Sequence, residues 1–156
     1  MLVTRLADIG ASDRDVHAPT FRSRRLLLAQ DGMGFSFHDT ILYAGSVTPM
    51  WYRNHLEAVY CIDGEGELEE TETGLIHQIT PGTLYALDKH DRHELRAKTD
   101  LRMICVFNPP LWGGEVHEED GSYPLLGAPP TRPTHDRNAK SVVTGGNGRN
   151  RKGPKD

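Results

Sequence analysis

Tyr85 and His93 stand on either side of a short charged run in the stretch YALDKHDRH, and both side chains have the chemistry of metal ligands. The Asp, Lys, His and Asp residues between them are typical of a turn. If this turn is centred near Lys89, Tyr85 and His93 lie opposite each other on paired antiparallel strands, with Cβ atoms about 5 Å apart on one face. The sequence therefore predicts that a phenol oxygen and an imidazole nitrogen share a site.

Glu57 is the third candidate ligand, and the spacing around it resembles the first of the two motifs of the cupin barrel, a double-stranded β-helix. In GSVTPMWYRNHLEAVYCIDG a glycine precedes the strand that carries Glu57 and another follows it, and GTLYALDKHDRH places a glycine and a turn before His93. Glu57 and His93 fall on ligand positions of the cupin pattern. The two remaining ligand positions hold Trp51 and Arg53, which are not ordinary metal ligands, so Tyr85 would complete the set.

A carboxylate, a phenolate and an imidazole form an open set of three ligands that suits Fe(II) and also accepts Zn(II) or Mn(II). An open coordination position is typical of a catalytic metal site. The phenol must lose its proton, and a dication at bonding distance lowers the pKa of such a group. Each residue alone also has an ordinary interpretation, with Tyr85 in the core, His93 as a satisfied polar group and Glu57 facing solvent; the paired motifs favour the site.

Short apolar segments separated by turn residues follow one another from Ser36 onward, which predicts an all-β sandwich or barrel. The turn sequences DGEG, ETG and PG divide these segments. We expect strands at 24–29, 35–44, 56–63, 66–72, 75–79, 83–87, 93–98 and 101–107. Ser12 or Asp13 could cap one short helix near the start.

The 156-residue chain is about one domain long, and its two cysteines, Cys61 and Cys105, each lie in an apolar run. Such cysteines are typical of buried, reduced thiols in a reducing compartment. No apolar run reaches the length of about 18 residues that a membrane span needs, and the first residues lack the continuous apolar segment of a signal peptide. We therefore expect a cytoplasmic protein with no membrane partner.

Residues 127–156 differ in composition from residues 1–126. The later segment has 7 Lys and Arg against 2 Asp and Glu, whereas the earlier one has 11 against 20. Val142 and Val143 are the only apolar pair in the later segment, too little to offset the entropy of ordering. We predict a cupin domain over 1–126 and a disordered basic tail over 127–156. A basic tail can contact nucleic acid, but this one lacks interleaved aromatic residues, so we expect no nucleic-acid partner.

Several long stretches together resemble the ectoine synthase family, over about residues 1–125. They are NHLEAVYCIDGEGELE, PGTLYALDKHDRHELRAKTD, CVFNPPL and GGEVHEEDGSYPL. The resemblance implies a cupin barrel, also called a jelly roll, with a short N-terminal segment and a C-terminal lid. It further implies a homodimer that uses iron(II) to close the ring of ectoine from γ-N-acetyl-L-2,4-diaminobutyrate with loss of water. The family's metal ligands, a Glu, a Tyr and a His, correspond to Glu57, Tyr85 and His93.

The resemblance also implies which residues contact this small-molecule substrate. Arg25 and Thr40 would hold its polar groups, with Arg25 suited to a bidentate contact with the α-carboxylate. Arg25 also has an ordinary interpretation as part of a surface salt bridge, since Arg22 and Arg24 lie close by. The residues expected to line the cavity and exclude water are Tyr52, Cys105 and Phe107.

The stretch GGEVHEEDGSYPL, residues 113–125, would act as a lid over the site. Gly113 and Gly114 would form its hinge, and closure would carry Glu115 and His117 to the substrate. The substrate's amine must be neutral to attack, so a carboxylate that takes its proton is needed. We predict that Glu115 is this general base, which makes Glu115, Tyr85 and Glu57 the catalytic set.

Two positions depart from the family's usual pattern, and because of these departures two other functions stay open as alternatives. Phe21 stands where the family commonly has a tryptophan, and Met50-Trp51 stands where it commonly has a His-x-His pair. A cupin that binds a small ligand without turnover is favoured if Trp51 fills the cavity. Another enzyme of the same fold, such as a hydrolase of related acyl amines, is a further alternative. An iron oxygenase is disfavoured because it usually needs two His ligands and one carboxylate.

Overall fold

Two antiparallel sheets make up the part of the chain that the computed structural model describes, which is residues 1–10 and 12–125. The strands are β1 (Asp15–His17), β2 (Phe21–Leu27), β3 (Ser36–Leu42), β4 (Val47–Met50), β5 (Leu56–Asp63), β6 (Gly66–Glu70), β7 (Ile76–Ile79), β8 (Leu84–Leu87), β9 (His93–Ala97) and β10 (Leu101–Asn108). The six-stranded sheet has the order β1-β2-β3-β10-β5-β8, and the four-stranded sheet has the order β4-β9-β6-β7. Two short 3₁₀ helices span Leu6–Asp8 and Ala29–Asp31. The all-β prediction is confirmed.

Alternation of side chains along the strands explains which face of each sheet is buried. In β10 the buried residues are Leu101, Met103, Cys105 and Phe107, and the residues between them are half-buried. The apolar cluster of the core lies between the two sheets, with Val59 from the six-stranded sheet and Leu68 and Leu95 from the four-stranded sheet. Burial of these side chains is the main force that holds the sheets together.

The eight predicted strands are all present, but β1 and β4 were not predicted. β1 has only three residues, Asp15–His17, of which two are charged or titratable, so it has no apolar alternation to read. β4 contains Pro49, which cannot donate a hydrogen bond to a neighbouring strand. The structure accommodates Pro49 because β4 is an edge strand that pairs only with β9.

The helix predicted at Ser12 or Asp13 is wrong. Residues 12–14 form a bend and a turn that lead directly into β1. The Ser12 hydroxyl donates a hydrogen bond backward to the carbonyl oxygen of Ile9 at 2.6 Å, so it does not cap a following helix. Serine side chains often bond to nearby backbone in this way, which favours turns over helices.

The turn sequence DGEG between β5 and β6 includes a glycine that the packing requires. Gly64 has φ of 91°, a conformation that side chains with a Cβ rarely adopt. A Cβ atom at this position would also collide with the carbonyl oxygen of Asp100. The turn therefore packs directly against the chain that enters β10.

β8 and β9 do not pair with each other, so the predicted cross-strand contact between Tyr85 and His93 is wrong. Tyr85 pairs with Val59 in the six-stranded sheet, whereas His93 pairs with Met50 and Glu70 in the four-stranded sheet. The charged turn between them passes from one sheet to the other. The two residues nevertheless come together across the core, with ring centroids 6.3 Å apart.

No helix within residues 1–10 and 12–125 has the length and apolarity needed to cross a membrane. The predicted tail over 127–156 lies outside the described residues, as does residue 126 at the end of the predicted cupin domain.

Candidate active site

A pocket lies on the inner face of the six-stranded sheet, and it gathers seven of the ten site residues predicted from the sequence. These are Thr40, Tyr52, Glu57, Tyr85, Cys105, Phe107 and His117. His93 is buried next to Tyr85. Arg25 and Glu115 are also buried, but they do not line the pocket.

Strand register places the pocket residues in transverse rows across the sheet. One row runs from β2 to β8 through Arg25, His38, Cys105, Val59 and Tyr85. The next row contains Phe107 paired with Glu57. Residues two positions apart on a strand point to the same face, so Glu57 lies diagonally across from Tyr85 on the neighbouring strand. Diagonal neighbours of this kind are within reach of long side chains.

Glu57 is a buried carboxyl group with no cationic partner among the described ion pairs. Burial raises its pKa to about 8, although a hydrogen bond with Cys105 acts in the opposite direction. A buried carboxylate is unfavourable unless a positive charge or a proton accompanies it. A metal cation would supply that charge.

His93 presents one ring nitrogen that is free to bind a metal. Its Nδ1 lies 3.1 Å from the carbonyl oxygen of Asp91, so we assign the proton to Nδ1. Nε2 is buried and has no hydrogen-bond partner among the described residues. Burial also lowers the pKa of His93, which keeps the Nε2 lone pair available. Metal-binding histidines commonly donate their other N–H to a backbone carbonyl in this way.

Tyr85 supplies the oxygen on which a metal site here would depend. Across residues 1–10 and 12–125, no three His, Cys, Asp or Glu side chains cluster in a way that would hold a metal ion. Burial, and then the charge of Glu57, raise the pKa of the Tyr85 phenol well above its usual value. Ionisation of this phenol therefore requires a compensating cation. The donor set of Glu57, Tyr85 and His93 fits a metal with two or more positive charges.

Trp51 does not fill the cavity. Its indole Nε1–H donates a hydrogen bond to the carbonyl oxygen of His90 at 2.9 Å. The Arg92 guanidinium lies over the indole ring at 3.9 Å, and that of Arg53 lies 5.6 Å from it. The tryptophan is therefore held at the outside of the 88–92 turn, and the feature that would favour a binding protein without turnover is not present.

The lid segment, residues 113–125, covers the pocket with aromatic side chains. The Tyr52 hydroxyl lies 2.8 Å from His117 Nε2, and the Tyr52 ring stacks on Tyr123 with centroids 5.3 Å apart. His117 also contacts the Phe21 ring at 5.2 Å. Burial, and then the charge of Arg25, lower the pKa of His117 to about 4, so His117 is neutral near pH 7 and its Nε2 shares a hydrogen bond with the Tyr52 hydroxyl.

Arg25 and Glu115 form a fully buried ion pair at the start of the lid segment. Arg25 Nη1 lies 3.1 Å from Glu115 Oε2, and the side chains are 0% and 1% exposed. The Glu115 carboxylate also accepts hydrogen bonds from the backbone N–H of Trp112 at 2.5 Å and of Gly113 at 2.7 Å. Arg25 Nε has no hydrogen-bond partner among the described residues. Neither Arg25 nor Glu115 lines the pocket, so the predicted contacts of both with substrate require the lid segment to move.

His38 and Tyr123 line the pocket but were not among the residues predicted from the sequence. Strand alternation offered a signal for His38, because it lies two positions from Thr40 and therefore shares its face. Tyr123 is the only aromatic residue in the acidic stretch GGEVHEEDGSYPL. An isolated aromatic among charged residues of a loop is a signal of packing against the body of the protein.

Comparison with known proteins agrees with this architecture. The protein-family model described as Ectoine synthase matches residues 1–127. An L-ectoine synthase from Thermobifida fusca (strain YX) is 59% identical over 126 residues, which cover 81% of this chain and 94% of that protein. One from Desulfatibacillum aliphaticivorans is 61% identical over 128 residues, with 81% and 98% covered.

Solved structures show the same relationship. The crystal structure of ectoine synthase from P. lautus superposes with a TM-score of 0.74 at 56% identity, covering 84% of this chain and 94% of that chain. A Cupin_2 domain of an XRE family transcriptional regulator from Enterobacter cloacae has a TM-score of 0.50 at 17% identity, with 58% and 98% covered, and shares the fold alone. The predicted cupin barrel is confirmed, and the chain belongs to the ectoine synthase family.

Proposed function

We propose that this protein is an ectoine synthase, a carbon–oxygen lyase that closes the ring of γ-N-acetyl-L-2,4-diaminobutyrate and releases water. The observation that carries the proposal is the convergence of buried Glu57, buried His93 and half-buried Tyr85 at the pocket, in a chain of the ectoine synthase family. In the reaction the substrate's amine nitrogen bonds to the carbon of its own acetamide. The amide oxygen then leaves as water together with two hydrogens from nitrogen.

The donor set supports iron(II) as the cofactor, with Zn(II) or Mn(II) as substitutes. Glu57 is buried with no cationic partner among the described ion pairs, and His93 Nε2 is buried with no hydrogen-bond partner among the described residues. Tyr85 adds an oxygen beside them. When bound, the metal supplies a Lewis acid that makes the acetamide carbonyl a better electrophile. This set leaves coordination positions free, as a catalytic site requires.

The chain's own residues fold the substrate and keep water out. Tyr52, Phe107 and Tyr123 surround the pocket with aromatic surface, which favours a folded conformation in which the amine approaches the carbonyl carbon. Because both reacting groups belong to one molecule, this positioning supplies much of the rate. Thr40 and Cys105 add polar atoms to the wall. His117 completes the cover through its contact with Tyr52.

Proton transfer needs a base, and Glu115 stays our prediction for this role. Its carboxylate is bound to Arg25 and to two backbone N–H groups, so it can take a proton only after the lid segment moves. Gly113 and Gly114 have φ values of 126° and 51°, in the region that favours glycine. These two residues are suited to act as the hinge of that movement.

An apolar outer face on the six-stranded sheet supports a homodimer as the assembly. Its residues are Ala58, Tyr60, Ile62, Leu84, Ala86, Ile104 and Val106, which alternate with buried residues on β5, β8 and β10. Leu84 is 64% exposed and Tyr60 is 46% exposed. The solvent face of an antiparallel sheet is normally polar, and a continuous apolar patch marks an interaction surface. Light scattering should give the mass of two chains, and Tyr60→Lys should shift it toward one.

A cytoplasmic location is also part of the proposal. Cys61 and Cys105 are buried free thiols, which suit a compartment that keeps thiols reduced.

The test of the function is a product assay on anaerobically purified protein loaded with iron(II). The protein should convert the acetylated diamino acid to the cyclic product, and the metal-free protein should not. His93→Ala should lose both iron and turnover, while His77→Ala, which removes an exposed imidazole on β7, should keep both. If the iron-loaded protein binds the substrate but forms no product at any pH, the alternative of a binding protein gains support and the proposal is wrong.

A further inference from the structure

His38 offers a buried polar atom that no other residue in the described part of the chain contacts by a hydrogen bond. We propose that His38 donates its Nε2–H to the carboxylate of the substrate, and so fixes the end of the substrate opposite to the metal site. This inference rests on the proposed function, because it names the partner of one substrate group in the same pocket.

The position of His38 is set by the sheet. β3 pairs with β2 on one side and with β10 on the other, so His38 stands between Arg25 and Cys105. Its ring lines the same pocket as Glu57 and Tyr85 and is only 1% exposed. Nε2 has no hydrogen-bond partner within residues 1–10 and 12–125. Since a buried polar group is unfavourable without a partner, a ligand atom in the pocket is the natural partner for Nε2.

The hydrogen bonds around His38 indicate which nitrogen carries the proton. Thr40 Oγ1 donates to Ser23 Oγ at 3.3 Å, and Ser23 Oγ lies 3.4 Å from His38 Nδ1. A hydroxyl that accepts one hydrogen bond can donate its own proton onward, so Ser23 donates to Nδ1. Nε2 then holds the ring proton and presents an N–H to the pocket. Burial, and then the charge of Arg25, keep the pKa of His38 well below its usual value, so the donor is a neutral imidazole.

The carboxylate is the substrate group that best matches this donor. Hydrogen bonds to a charged acceptor are stronger than those to a neutral one. Arg25, the neighbouring cation in the same row, is already bound to Glu115 and does not line the closed pocket. With Arg25 already paired, the Nε2–H of His38 is a donor within the pocket wall that can receive the carboxylate.

The spacing across the sheet suits the length of the substrate. β10 lies between β3 and β5, so the strands of His38 and Glu57 are two interstrand spacings apart, about 10 Å. The two side chains extend from these strands into the same pocket. The substrate carries its carboxylate on the carbon that bears the reacting amine. In the folded conformation it can therefore point its acyl oxygen toward the metal site and its carboxylate toward His38.

Two substitutions at His38 test the proposal on iron-loaded protein. His38→Leu removes the donor at similar size, and His38→Gln keeps an N–H close to the position of Nε2. Each variant is assayed with the substrate and with an analogue whose carboxylate is a carboxamide. We expect His38→Leu to raise KM for the substrate about 10-fold or more with a smaller change in kcat. It should reduce the preference for carboxylate over carboxamide by a similar factor, and His38→Gln should retain most of that preference.

The controls separate this role from packing and from the function itself. Iron content and circular dichroism are measured for each variant, and His77→Leu, at an exposed position on β7, is the matched control. An equal loss of binding for both ligands in His38→Leu would mean that the ring only packs, and unchanged KM would also overturn the assignment. If His38→Leu does not fold, loss of the preference in His38→Gln overturns it. Calorimetric binding of the two ligands gives the same comparison if wild-type protein forms no product.

Discussion

The floor of the pocket and its cover are built in different ways. The floor is the inner face of the six-stranded sheet, where register places Glu57, Tyr85 and Cys105 on neighbouring strands. The cover is the lid segment, residues 113–125, which contains no strand. Backbone hydrogen bonds between strands set the positions of the floor residues. The position of the cover depends instead on contacts made by individual side chains. Substitutions should therefore act on chemistry in the floor and on closure or stability in the cover.

Loss of a metal ligand from the floor should have the largest effect. Glu57→Ala, Tyr85→Ala and His93→Ala should each lower bound iron and reduce turnover by more than about 100-fold, since even residues that only support a ligand contribute about 10- to 100-fold. Folding should be largely retained, because strand pairing does not depend on these side chains. Iron content, turnover and urea unfolding are the measurements.

Tyr85→Phe gives the sharper version of this test, because it removes only the oxygen. Tyr60→Phe, on the outer face of β5, is the matched control. If Tyr85→Phe kept full iron content and full turnover, the phenolate assignment would be wrong, and the metal hypothesis would lose its third ligand.

Removal of the ion pair that anchors the cover should act mainly on stability. Glu115→Ala leaves the Arg25 guanidinium buried without a counter-ion, with backbone carbonyl oxygens as its remaining acceptors. We expect a loss of about 3–5 kcal/mol in the free energy of unfolding. Iron content should be unchanged, and turnover should fall. Arg25→Met combined with Glu115→Leu should recover part of the stability, because it removes both buried charges. Unchanged stability in Glu115→Ala would mean that the pair is open in solution, and an unchanged rate would exclude Glu115 as the base.

The pH dependence of stability should reveal a second contact of the cover. Burial keeps His117 neutral, with a pKa of about 4, whereas the unfolded chain takes up a proton near the ordinary value of about 6.5. Stability is therefore fully present above pH 6.5 and decreases as the pH falls toward 4. At pH 5 this residue should account for about 2 kcal/mol of the loss.

Urea unfolding at pH 7 and pH 5 measures this effect in wild-type protein and in His117→Gln. The variant should lose less stability between the two values of pH. Equal losses in both proteins would indicate that His117 is exposed in solution and that the cover does not close over it.

The same difference between floor and cover explains what the sequence could predict. Alternation marks β5 and β10 well, because Val59, Cys61, Met103, Cys105 and Phe107 recur at every second position. That pattern predicted the strands and the faces they bury. The cupin spacing brought Glu57 and His93 together as ligands, and the structure places both in the core beside Tyr85.

The parts that the sequence did not predict depend on contacts between distant segments. Tyr85 and His93 approach across the core, and the pairing of Tyr85 with Val59 leaves no local signal in the turn between β8 and β9. The bond between Arg25 and Glu115 joins residues that are 90 positions apart. Both side chains have several chemically reasonable partners, so only the folded chain selects one.

Trp51 should produce the smallest effect, because its indole ring lies outside both the floor and the cover; its backbone N–H, which donates to the carbonyl oxygen of Gly121 in the cover, is kept in any substitution by a non-proline residue. Trp51→Phe retains an aromatic ring between Arg53 and Arg92 and loses the hydrogen bond to the His90 carbonyl. We expect a loss of about 1 kcal/mol in stability, with iron content, KM and kcat close to those of wild-type protein. Trp112→Phe is the control for loss of an indole elsewhere. A large fall in kcat for Trp51→Phe at full iron content would show that the indole enters the pocket during turnover. The conclusion that Trp51 acts independently of the floor would then be wrong.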